Sequence, residues 1–175
     1  MMQSGILHIV NIAILAALLA GAVYTDLRFG KIYNKLTIPC MMLGVALNAA
    51  RGLPGILDSL AGIGVVLILY LLFAPAAGIG GGDAKLVMGV GALLGVKLLV
   101  WAMLFSAVIG GVLALAAMLR HRALLSTTRN MAGNVYLSAV LRAPVELSTG
   151  SRGIKFRYSP AIALGTLLTF FVKLW

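Results

Sequence analysis

The chain has 175 residues, of which 62% are hydrophobic and 10% charged, against about 25% charged in an average soluble domain. Its mean hydropathy is +1.08 and its net charge +10. So few polar side chains cannot cover a water-facing surface, which excludes a soluble domain. The basic excess reads as topology and contact with anionic headgroups of the lipid bilayer rather than as nucleic-acid binding.

A helix needs about 20 apolar residues to cross the hydrocarbon. Six segments meet or approach that length, so the predicted fold is all-α, a polytopic membrane helix bundle of about six transmembrane segments. The first is residues 6–24. The stretch before it, Met1-Met-Gln-Ser-Gly5, has no basic side chain, whereas a signal peptide needs one, so this span reads as retained. The second, residues 36–50, is short and bounded by Lys35 and Arg51. The third is residues 59–77. The fourth, residues 86–96, is too short to cross without tilt or bilayer thinning. The fifth is residues 98–119, and Gly91-Ala-Leu-Leu-Gly95 before it fits the small-xxx-small packing pattern. Residues 120–157 form the only long polar stretch. Leu124, Met131, Val135 and Ala139 recur there at roughly helical spacing. That fits an amphipathic helix lying on the membrane surface, with a plain basic cytoplasmic loop as the alternative. The sixth segment is residues 158–175. No linker interrupts the chain, so residues 1–175 read as one integral membrane domain.

Basic residues orient the set. Arg28, Lys31, Lys35, Lys85, Arg120, Arg122, Arg129, Arg142, Arg152, Lys155 and Arg157 fall on one side; Arg51, Lys97 and Lys173 fall on the other. The positive-inside rule makes the first side cytoplasmic. Both chain termini are then outside.

Acids are scarce: Asp26, Asp58, Asp83 and Glu146 are the whole set. An acid beside bilayer-length apolar sequence is costly and is a functional-site hypothesis by default. Asp26 and Asp83 both lie at segment edges on the predicted cytoplasmic side. Asp83 closes the run Gly78-Ile-Gly-Gly-Gly-Asp83, where glycine permits unusual backbone and close approach of other groups. The bland reading of Asp83 is a cap of the fourth segment, since a helix N-terminus favours negative charge. Two carboxylates brought close cannot both ionise readily. One then keeps a proton, and the pair can activate water against a carbonyl. Rival centres are weak. His8 and His121 fall on opposite predicted sides, so no metal site is expected. Cys40, the single cysteine, can form neither an internal disulfide nor a cysteine-based zinc cluster. No phosphate loop is present, and no cofactor is implied.

At these two segments the chain resembles the type IV prepilin peptidases, aspartic proteases of the membrane. That family pairs an Asp followed by Ile-Pro-Asn with Gly-x-Gly-Asp-x-Lys. Here the first motif reads Asp26-Leu-Arg-Phe-Gly-Lys-Ile32-Tyr33-Asn34, with Tyr33 where the family usually has proline. The second reads Gly80-Gly-Gly82-Asp83-Ala-Lys85 and is complete. The end, Ile154-Lys-Phe-Arg-Tyr-Ser-Pro160-Ala-Ile-Ala-Leu-Gly165, with an aromatic and a proline before a small-residue helix, also looks like the family's last segment. The resemblance implies an Asp26–Asp83 dyad, with Gly80, Gly81 and Gly82 shaping the cleft and binding extended peptide. Asn34 and Lys85 would position carboxylates or substrate, an ordinary interfacial lysine being the alternative for Lys85. The implied partner is a prepilin or pseudopilin precursor, cut at the cytoplasmic face of the inner membrane. The connection from Tyr24 to Lys35 is too short for the cysteine-bearing insert of longer members that also methylate the product. The chain therefore looks like the short, peptidase-only form of Flp (Tad) pilus systems, or like archaeal relatives, and N-methyltransferase activity is expected to be absent. The sequence leaves oligomeric state open. Three other readings compete: a presenilin-like intramembrane protease, a small proton-coupled transporter with acids near the midplane, and a structural subunit whose acids only cap helices.

Overall fold

The computed structural model describes residues 2–77, 80–120 and 157–172. Among them every regular element is helical: α1 (Met2–Phe29), α2 (Asn34–Ala49), α3 (Leu53–Ala77), α4 (Gly81–Arg120) and α5 (Ser159–Phe171). The chain divides into two compact units, Met1–Gly110 with Arg157–Trp175, and Gly111–Phe156. Three helices are long and apolar enough to cross a membrane, over Ile9–Phe29, Leu53–Phe73 and Gly81–Ala116. The protein is thus an all-helical membrane protein. At 16 and 13 residues, α2 and α5 are shorter than a crossing, so length and composition alone do not reach the expected six. The surface helix expected within residues 120–157 lies almost wholly outside the described residues.

Boundaries follow local chemistry. α1 runs five residues past the expected end at Tyr24. Thr25 folds its hydroxyl back onto the carbonyls of Gly21 and Ala22, at 2.9 and 3.2 Å, so it does not draw the backbone out of the helix. Gly30 then ends the helix with φ 64°, its N–H donating to the Asp26 carbonyl at 2.8 Å. This is the left-handed stop that glycine adopts without penalty. α3 begins at Leu53, six residues before the expected start, with Pro54 in its first turn, where a missing N–H costs nothing.

The fourth and fifth expected segments are two helical arms of α4 that meet at Gly95, whose φ of 76° and ψ of 177° are not helical. The axis turns sharply there. Leu99 reaches to 3.0 Å from where a Cβ on Gly91 would sit, whereas eight residues of straight helix would separate the two by about 12 Å. The second arm returns residues 106–110 to Tyr158, which precedes α5: the Tyr158 hydroxyl donates to the Ser106 carbonyl at 3.0 Å.

Such a break strands backbone groups that cannot find water in a bilayer. Side chains from α2 and α3 satisfy them. Asn48 points its amide at the carbonyls of Ala92 and Leu93, at 3.0 and 3.3 Å. The Ser59 hydroxyl donates to Ala92 at 2.8 Å. The Val96 N–H donates to Asp58 Oδ1 at 3.0 Å. Glycines bring the helices close enough for this. A Cβ on Gly44 would lie 2.9 Å from Ala92 backbone, and one on Gly62 2.5 Å from the Gly91 carbonyl oxygen. The apolar core joins Leu15 and Leu18 of α1, Leu86, Val90 and Leu99 of α4, and Ile162 of α5.

Candidate active site

Asp26 sits in the last turn of α1 and is only 8% exposed. Asp83 sits in the first turn of α4, half-buried, with its N–H donating to the Gly80 carbonyl at 3.1 Å. The two carboxylates lie close enough for the charge of one to act on the other. The ends of α1 and α4 therefore bring the two membrane-edge acids together. Tyr158, at the head of α5, lies within reach of the charge on Asp83.

The other expected site residues gather at the same end. Lys85 Nζ donates to Asn34 Oδ1 at 2.9 Å, which ties the first turn of α2 to the start of α4. The bond is exposed to solvent, and it engages neither carboxylate. The glycines act through space rather than through unusual backbone. Among the described residues the glycines with positive φ are Gly30, Gly52 and Gly95, so Gly80, Gly81 and Gly82 need no left-handed conformation. A Cβ on Gly82 would meet the Ile32 side chain at 3.3 Å, one on Gly81 the Tyr70 hydroxyl at 3.3 Å, and one on Gly80 Asp83 Oδ2 at 3.6 Å. The segment after α1, the last turns of α3 and the start of α4 thus crowd around the glycine run. Gly78 precedes the described part of this run.

Three neighbours escaped sequence reasoning. Ser159, fully buried, donates its hydroxyl to Asp26 Oδ2 at 2.7 Å across 133 residues. Its only sequence signal is a serine before a proline at a helix start, which reads as a routine cap. Arg157 donates to the Leu27 carbonyl and holds the approach to α5 against the end of α1. Ile32 was read only as part of the first motif. Among the described residues no three His, Cys, Asp or Glu side chains cluster as a metal site would require.

This arrangement puts two carboxyl groups within electrostatic reach of one another at one end of a helix bundle. It also sets the glycine run directly beside Asp83, with no side chain of its own between. No match was found among curated proteins or among solved structures. The sequence profile of the type IV leader peptidase family matches residues 13–115, which include both aspartates and more than half of the chain. The chain belongs to the type IV leader peptidase family.

Proposed function

We propose that this membrane protein is an aspartic endopeptidase that removes the basic leader of a type IV prepilin or pseudopilin, of the Flp type, with Asp26 and Asp83 as its catalytic pair. The observation that carries this reading is that the two acids lie within electrostatic reach of one another, at the end of α1 and the start of α4. Family membership supplies the leader-peptidase reaction class. The scissile peptide lies extended along Gly80–Gly82. Water attacks its carbonyl carbon and gives a proton to the ionised carboxylate. The protonated carboxyl gives its proton to the carbonyl oxygen. Collapse of the resulting diol breaks the C–N bond: the departing nitrogen takes a proton from the pair while a diol hydroxyl returns one to it, so the pair ends with the single proton it began with. One water is consumed, and one acid and one amine are formed. The positive-inside rule supports cleavage at the cytoplasmic face, where a basic leader waits before its hydrophobic helix.

Co-expression with a Flp-type prepilin tests the reading directly. Asp26→Asn and Asp83→Asn keep the side-chain shape and remove the ionisable group. Each is expected to abolish the shift from precursor to mature pilin on a gel while the protein stays in the membrane. Near wild-type cleavage by either variant would rule out the pair.

A further inference from the structure

The two acids are not equivalent. Asp26 is the more buried and lies at the C-terminal end of its own helix, where the dipole opposes negative charge. An ionised carboxylate there needs a donor from elsewhere. α5 supplies it. Ser159, the first residue of α5, has no solvent exposure and donates to Asp26 Oδ2 at 2.7 Å. The bond also sets Asp26 against the N-terminus of α5, the end that favours an anion. Pro160 follows and has no N–H to offer, so the Ser159 hydroxyl is the directed donor of that turn. Packing fixes the hydroxyl. A Cβ on Gly165 would lie 2.4 Å from the Ser106 backbone nitrogen, so α5 sits directly on the second arm of α4. The Arg157 contact with the Leu27 carbonyl and the Tyr158 contact with Ser106 hold both flanks of the α5 N-terminus.

We propose that Ser159 is a positioning residue that holds Asp26 as the ionised, water-activating member of the pair and leaves the shared proton on Asp83. Asp26 then takes the proton from the attacking water, and Asp83 gives its proton to the carbonyl oxygen. The inference rests on the aspartic-protease reading and adds the division of labour within it.

Kinetics and infrared spectroscopy test it on the full chain in detergent or liposomes. Ser159→Ala removes one hydrogen bond to a charged group, so kcat on a prepilin substrate is expected to fall about tenfold or more. KM is expected to stay within about twofold, because Ser159 does not touch the peptide. Ser159→Thr, which keeps the hydroxyl, is expected to recover most of the loss. Should Ser159→Ala not accumulate, Ser159→Cys carries the same comparison with a weaker donor. The infrared arm needs no turnover. The chain has only three aspartates, so isotope-labelled aspartate gives few carboxyl bands. Ser159→Ala is expected to shift an ionised-carboxylate stretch and leave the protonated-acid stretch in place. A shift of the protonated band instead would give the proton to Asp26 and overturn the assignment. Unchanged kcat per folded molecule in Ser159→Ala would overturn it as well. The two failures are distinguishable: cleavage by Asp26→Asn or Asp83→Asn removes the pair itself, whereas inactive Asn variants beside an unaffected Ser159→Ala remove only the role of Ser159.

Discussion

Gly82 and Gly95 show how the same residue type serves two ends. At Gly82 the space where a Cβ would stand is bounded by Ile32 at 3.3 Å, and the backbone is ordinary. Gly82→Val adds bulk beside Asp83 and against Ile32, and is expected to lose prepilin cleavage while the protein still inserts and accumulates. Normal cleavage by Gly82→Val would make the glycine run a packing feature only. At Gly95 a Cβ would lie 1.9 Å from Asp58 Oδ2, on a backbone with φ 76°. Gly95→Val is therefore expected to lower abundance and melting temperature first, through backbone strain of about 1–3 kcal/mol in a region that essentially only glycine adopts, and through loss of the Asp58 contact. Measuring cleavage per folded molecule in both variants separates chemistry from folding. The proposed chemistry runs on two carboxyls alone, so cleavage is expected to survive EDTA; a loss that added zinc restores would count against it.

At the scale of elements, the break in α4 organises the bundle. A charge change at Lys97 and a short apolar run, residues 86–96, make a boundary there legible in the sequence. Its form was not legible, because the partners that make a break tolerable lie far along the chain. Asn48 and Ser59 reach the stranded carbonyls from α2 and α3, and Asp58 caps the outgoing arm. Read locally, Asp58 is simply an unexplained acid near the start of a span. The same distance hides Ser159 from any motif around Asp26. The extension of α1 is not legible because Thr25-Asp-Leu-Arg28 looks like loop composition, and the contacts that hold its last turn, from Ser159 to Asp26 and from Arg157 to the Leu27 carbonyl, come from far along the chain. That Asp26 and Asp83 share one end of the bundle was legible, since two membrane-edge acids stand out against almost no others. Asp58→Ala is expected to cost about 1 kcal/mol, the usual loss for a helix cap. Its melting temperature should fall while cleavage per folded molecule is unchanged. A stable Asp58→Ala protein that no longer cleaves would tie the break to catalysis rather than to scaffolding.

For the whole molecule, helix directions put the proposed chemistry at one end. The Lys85–Asn34 bond joins the starts of α2 and the first arm of α4, and Gly44 meets Ala92 near their far ends, so the two run side by side in one direction. α3 runs the other way, from Ser59 beside Ala92 to Tyr70 beside Gly81. Asp26, Asp83 and Ser159 therefore lie at the end marked by Arg28, Lys31, Lys35, Lys85 and Arg157, while Arg51 follows α2 at the opposite end and Lys97 follows the Gly95 break there. If basic residues stay inside, the catalytic end faces the cytoplasm, and so does the leader of the proposed substrate. A reporter active only in the cytoplasm is expected to work when fused after Arg129 and to fail when fused at Trp175. An active fusion at Trp175 with a silent one after Arg129 would turn the Asp26–Asp83 end outward. A basic leader held in the cytoplasm could not reach it there, so the prepilin assignment would fall even if the acids proved essential.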